Sequence, residues 1–293
     1  MSESPIVTNR YDFVYLFDCQ DGNPNGDPDF DNAPRFDPET FQGLVSDVCL
    51  KRKIRDYVAL LKSANGSVEH GYRIFVMSGP TLESQQKMSY DDLKIEPKTQ
   101  DRNKIAEARA WMCQSFFDVR AFGAVMSTTD FNCGQVRGPV QITFARSIDR
   151  VFSTEHSITR VAYTKEEKAK STTGSTEMGR KHTIAYGLYR AQGFVNAAFA
   201  AQTGFTEADL GVLWRALSNM FDMDRSAARG LMCARGLYIF KHSSTLGEAP
   251  AHKLFERVKV MPKPGIESPR SFDDYTVTVD EAGLPTGVTL SSL

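Results

Sequence analysis

Arginine, amide and aromatic side chains gather on two glycine-rich segments, Asp118-Val119-Arg120-Ala121-Phe122-Gly123 and Asn132-Cys133-Gly134-Gln135-Val136-Arg137-Gly138. Arg120 and Arg137 each carry a planar fork that can grip a phosphate through two parallel hydrogen bonds or stack on a base. Phe122 offers a stacking face, and Asn132 and Gln135 offer amides for ribose or base edges. Glycine lacks Cβ and admits positive φ, so this backbone can come close to a ligand. The chemistry that follows is binding of an extended polyanion. The same residues also support a plainer reading: glycines at tight turns on either side of a strand over residues 140–145, arginines in surface ion pairs, Phe122 buried under the loop, and amides satisfying turn backbone.

Two further groups carry cations. Leu44, Val48, Leu50, Ile54, Val58 and Leu61 recur at helical spacing until Asn65-Gly66, which predicts an amphipathic helix over residues 41–61. On it Lys51 and Arg55 lie one turn apart on one side, Arg52 stands beside them, and Lys53 points away. Ser46 is a polar candidate one turn earlier. Residues 164–182 are rich in Lys, Ser, Thr, Glu and Gly with little to bury, which predicts a projecting mobile loop or hairpin. It carries Arg180, Lys181 and His182, with Tyr163 at its base. A solvated basic edge is the usual meaning of the helix cluster, and a solvated mobile loop accounts for the projecting segment equally well.

Catalytic and metal chemistry find less support. Asp21-Gly22-Asn23-Pro24-Asn25-Gly26 imitates the first half of a calcium loop, but Asn32 occupies the place of the bidentate glutamate. Residues 174–181 imitate a phosphate-binding loop, yet Arg180 and Lys181 replace its Lys-Ser/Thr pair. The five histidines show no metal spacing, so neither metal nor cofactor is expected. From a different class comes an RNA-cleaving enzyme with His182 as general base beside Arg180 and Lys181.

With 293 residues and 41 % hydrophobic residues the chain can bury a real core. Its 35 basic against 36 acidic residues give a net charge of -1, so any basic track must come from distribution rather than excess. Five scattered cysteines and the absence of a long apolar run predict a soluble, unexported protein of a reducing cytoplasm, away from membranes.

To position these groups the pattern supplies a strand over 11–19, with aromatics on odd positions that form either core or a base-stacking platform. A second strand follows over 72–77, then a polar insertion to about residue 102, a helix over 105–117, and the strand over 140–145 that ends near 147–149. Later come strand-like residues 184–196, a threonine-capped helix over 206–221, a strand over 236–241, and a closing hairpin from 275–279 and 287–290. This order predicts an α+β fold, a ferredoxin-like or RNA-recognition (RRM-like) sheet with large insertions.

The glycine pair, with Leu50-Lys51-Arg52-Lys53-Ile54-Arg55 and the early Asn23-Pro24-Asn25-Gly26-Asp27-Pro28, resembles the backbone subunit of type I CRISPR surveillance complexes (Cascade) in its type I-C form, a crRNA-binding member of the RAMP superfamily. The similarity runs from about Tyr11 to the C-terminus. It implies an open right hand: one RRM-like palm domain over 1–293, a finger insertion at 78–104 and a thumb at 154–182. It also implies a noncatalytic protein whose copies line up head-to-tail along the guide crRNA, beside a guide-processing subunit and a large subunit, presenting guide bases to target DNA. Lys51 and Arg55 match the helix that contacts the guide backbone in that family, and Tyr163, Arg180, Lys181 and His182 fall on the thumb. The alternative within the same superfamily is an RNA-processing endoribonuclease.

Overall fold

The computed structural model describes residues 4–160 and 177–293. The chain begins with β1 (Tyr11–Gly22), an edge strand β2 (Gln42–Val45) and helix α1 (Asp47–Leu61). Helices α2 (Leu82–Leu93), α3 (Arg102–Ser115) and the short α4 (Phe117–Phe122) precede a hairpin of β3 (Gly123–Met126) and β4 (Gly134–Arg137). Strands β5 (Val140–Ile142), β6 (Ala145–Arg150), β7 (Ser153–Arg160) and β8 (Glu177–Val195) follow. Then come α5 (Ala197–Thr203), α6 (Glu207–Met223), β9 (Leu231–His242), α7 (Ala251–Phe255), β10 (Val258–Pro262), β11 (Tyr275–Val279) and β12 (Val288–Ser292).

The main sheet runs β12-β9-β1-β8-β6-β2 and every pairing in it is antiparallel. Its middle four strands, β9-β1-β8-β6, stand in the order fourth, first, third, second along the chain. Helix α1 lies between the first and second of them and α6 between the third and fourth. That is the expected ferredoxin-like arrangement. Tyr11, Phe13, Tyr15, Phe17 and Cys19 of β1 point into one core with Leu50, Ile54 and Val58 of α1 and Leu213 and Leu217 of α6. Val14 and Leu16 point the other way into a second core with Phe240, Leu254 and Phe255. Both faces of β1 are therefore covered. Its aromatics are core, and the stacking-platform alternative is corrected.

Local signals place several elements well. Ser46 caps α1 and Thr206 caps α6, the latter through a capping box with Asp209. Residues 42–45, expected to be helical, form an edge strand ahead of the Ser46 cap. Residues 72–77 are not a palm strand: only Arg73 bridges, to Phe116, and the backbone N–H groups of Phe75 and Val76 donate to the Asp118 carboxylate. The second palm strand is β6, reached by way of a separate cluster of Phe75, Tyr90, Met112, Phe116, Met126 and Cys133. The expected tail hairpin also divides, since β11 pairs with β10 while β12 extends the main sheet on β9. Alternation shows that a segment is a strand, but not which neighbour it takes.

Beyond the palm, β7 pairs with the first part of β8 from Ser153 opposite Ile184 to Arg160 opposite Glu177. The expected projection is thus a two-stranded ribbon in its described part. Residues 161–176 lie outside the described residues, and with them Tyr163 and the first three residues of the phosphate-loop imitation.

Candidate nucleic-acid interface

Helix α1 carries its cations as the spacing predicts. Lys53 is buried and pairs with Asp224, while Lys51 and Arg55 share the opposite side. Lys51 Nζ sits 2.9 Å from Asp47 Oδ2, and Arg52, on the solvent side, pairs with Asp56 at 3.0 Å. Arg55 Nε donates to Asp118 Oδ2 at 2.7 Å, and that buried carboxylate also accepts from the backbone of Phe75 and Val76 at 2.7 and 3.0 Å. Lys51 Nζ and the Arg55 guanidinium lie 5.8 and 5.3 Å from the centre of the Phe122 ring. Two groups far apart in sequence, the basic helix and the first glycine segment, therefore meet. Ser46 does not join them: it is buried at the start of the helix, its Oγ accepting from Cys49 N–H at 3.3 Å and donating to Asn25 Oδ1 at 3.0 Å.

The glycines come close to each other rather than to a ligand. A Cβ on Gly138 would lie 2.2 Å from the Phe122 carbonyl carbon, and one on Gly123, at φ +82°, would lie 2.4 Å from the Val136 oxygen. The end of α4 and the end of β4 are in backbone contact there, which only glycine permits. Nearby, Asn132 Oδ1 accepts from Gly134 N–H at 2.8 Å, the turn-satisfying role. Phe122 is buried, which removes it as a free stacking face.

Arg120 is the clearest correction. Its side chain is 8 % exposed and its guanidinium makes five hydrogen bonds: two to the buried Asp209 carboxylate at 2.9 and 2.8 Å, and three to the carbonyls of Cys113, Gln114 and Gly71. All five N–H donors are committed, so none is left for a phosphate. Burial, followed by the charge of Asp209, pushes the neighbouring Tyr72 phenol well above its ordinary value. This region locks α4 to the start of α6.

The open side lies along β4. Gln135 and Arg137 are exposed, and the Arg137 guanidinium rests 4.5 Å from the centre of the Phe199 ring on α5. Arg137 lines two adjoining clefts. One, of about 440 Å³, includes Arg109, Gln135 and Gln202; the other, of about 320 Å³, includes Arg10, Asn196 and Phe199. Burial pushes the Cys113 thiol in the first cleft up to about 11, so it stays protonated near neutral pH. Sequence reasoning missed Arg109, Arg10 and Phe199. The signal was there in part: Ala106, Ala110 and Cys113 form a stripe of small residues on α3, and such a stripe leaves a hollow beside Arg109. Phe199 is the one aromatic in the alanine-rich α5.

On the ribbon, Arg180 pairs across the strands with Glu155 at 3.2 Å and remains 68 % exposed. Lys181 donates to the Ala227 carbonyl. His182 is mostly buried, with Nε2 3.7 Å from Asp31 Oδ2. These three stand apart from the β4 clefts. Among the described residues no three His, Cys, Asp or Glu side chains gather to hold a metal, and no helix is long and apolar enough to cross a membrane.

Comparison with known proteins decides the family. The model of the family described as CRISPR-associated protein Cas7 matches residues 9–280. This chain belongs to the Cas7 family. A curated CRISPR-associated protein Cas7 from Haloferax volcanii is 30 % identical over 233 residues, covering 72 % of this chain and 65 % of that protein. The Cas7-family chain thus spans just under two thirds of the length of that relative. A chain in a solved CRISPR RNA-guided surveillance complex, pre-nicking, is similar with a TM-score of 0.50 at 12 % identity, covering 79 % of this chain and 78 % of the other, a likeness of fold.

Proposed function

We propose that this Cas7-family chain is a noncatalytic, cytoplasmic crRNA-binding backbone subunit of a type I-C complex, polymerising along the guide and leaving guide bases free to pair with target DNA. The observation that carries the reading is the exposed Arg137 laid over Phe199 between two clefts, a cation and a ring disposed as single-stranded nucleic acid requires. Lys51 and Arg55 would bind the guide backbone beside this site, with Gln135 at its edge and Arg52 at its rim. Copies in head-to-tail contact do not close into a ring, so guide length would set their number.

Within this reading residues 1–293 form one palm with insertions, residues 78–104 a finger and residues 154–182 a thumb. The thumb, with Arg180, Lys181 and His182, would lie over the strand toward the next copy. A guide-processing subunit and a large subunit complete the assembly, and sequence recognition belongs to base pairing. Co-expression with a labelled guide RNA, purification, nuclease digestion and sizing of the protected fragments test this. Regular size increments are expected. RNA cut without added nuclease would promote the endoribonuclease reading with His182, and no retained RNA would remove both.

A further inference from the structure

Away from these cations, at the edge of the sheet and the root of the ribbon, three phenylalanines face solvent in series. Phe36, Phe41 and Phe152 are 42, 40 and 68 % exposed. Phe36 and Phe41 stack at 6.1 Å with their planes 11° apart, and Phe41 and Phe152 at 6.0 Å and 29°. Soluble proteins seldom leave three contiguous rings in water without use. The arrangement is also fixed. Phe41 holds φ +58°, a left-handed conformation that a bulky residue rarely adopts, with its N–H donating to Asp37 O at 2.8 Å and its carbonyl accepting from Val151 N–H at 2.9 Å.

Phe152 ends the series as one wall of a cavity of about 790 Å³, the largest of those described, which is roomy enough for a nucleotide. The rest of the lining includes Thr40, Gln42, Ser268 and the two arginines Arg150 and Arg270, together with the carboxylates of Glu39, Asp149 and Glu267. An apolar side chain seated on Phe152 would strip water from those polar groups and give them nothing in return. A nucleobase has a flat face for the ring and polar edges for the amide, hydroxyl and guanidinium groups. Its phosphate would meet Arg150 or Arg270.

We propose that Phe36, Phe41 and Phe152 form a stacking ladder that seats one unpaired base of a single-stranded nucleic acid in the cavity beside Phe152. The inference rests on the nucleic-acid-binding reading above but uses none of its residues. The test compares the full chain with Phe152→Ala and Phe152→Tyr, using a fluorescently labelled single-stranded RNA, its DNA counterpart, and an abasic strand of equal length. Phe152 is exposed, so the thermal midpoint should stay unchanged in both variants.

The ladder predicts that Phe152→Ala weakens binding of the base-bearing strands about fivefold or more. Binding of the abasic strand should not change, and Phe152→Tyr should restore wild-type affinity. A loss confined to RNA assigns the site to a guide-type strand, and an equal loss on DNA assigns it to any single strand. Unchanged binding by Phe152→Ala overturns the ladder, as does an equal loss on the abasic strand, which would mark the rings as a contact between copies. Those outcomes leave the parent reading intact. A wild-type chain that binds no strand overturns both.

Discussion

Arg120 and Arg137 stand on neighbouring glycine segments and look alike in sequence, yet the fold puts them to opposite uses. Arg120 meets Asp209, 89 residues away, and is closed in with every donor committed. Arg137 meets a phenyl ring instead of a carboxylate, so its charge stays open to solvent. An arginine's role follows from the partner that tertiary structure brings to it. A motif cannot show that partner when it comes from a distant helix. Lys51 and Arg55 are intermediate: each has a carboxylate within 2.9 Å, and each still borders the Phe122 ring.

The largest effect is expected at the closed half of this pair of arginines. Arg120→Ala would leave Asp209 buried and uncompensated, and a stability loss of about 3–5 kcal/mol is expected from urea unfolding. A variant that unfolds at the wild-type midpoint would show the pair to be dispensable. Gly138→Ala comes next, because its Cβ would meet backbone rather than a yielding side chain. It should cost at least about 1–3 kcal/mol, read as a lowered thermal midpoint.

At the open half, Arg137→Ala should weaken single-stranded RNA binding by about tenfold, as loss of one stacked or phosphate-bound cation does. Stability should stay within about 0.5 kcal/mol of wild type. The pH dependence of stability is expected to change at Asp224, whose carboxylate pairs with the buried Lys53 ammonium. Burial opposes ionisation of its carboxyl, but the hydrogen bond and charge of Lys53 and the charge of Arg229 outweigh it and hold the group below the usual carboxylate range. A carboxylate lowered in the folded state contributes stability above its unfolded value and loses it as pH falls through the folded one. Asp224→Asn should therefore fall furthest below wild type near neutral pH, with the gap narrowing from about pH 5 downward in a series of urea midpoints.

How much of this was legible depends on the range of the interaction. Strand β1, the body of helix α1 and the Thr206 cap of α6 follow from periodicity and local capping and stand where the sequence puts them, although α1 begins at Asp47 and not at residue 41. The side of α1 that carries Lys51 and Arg55, and the turning away of Lys53, follow from helical geometry alone. Residues 72–77 alternate like a strand but are used as a half-buried connection, because Asp118 takes the backbone N–H groups of Phe75 and Val76. The Gly123–Gly138 contact and the Arg120–Asp209 pair depend on chain segments meeting in space, and no local pattern encodes them. The site on β4 was half visible: Arg137 and Gln135 could be named, whereas Phe199 and Arg109 come from helices that the glycine motif does not reach.

The most direct test of the central claim is the salt dependence of single-stranded RNA binding, measured by fluorescence anisotropy for wild type and Arg137→Ala. Phosphate contacts release counterions, so wild-type affinity should fall steeply as salt rises, and the variant's log–log slope should be shallower by about 0.7, the share of one contact on a single strand. A wild-type affinity flat with salt, or identical curves for the two proteins, would contradict the account.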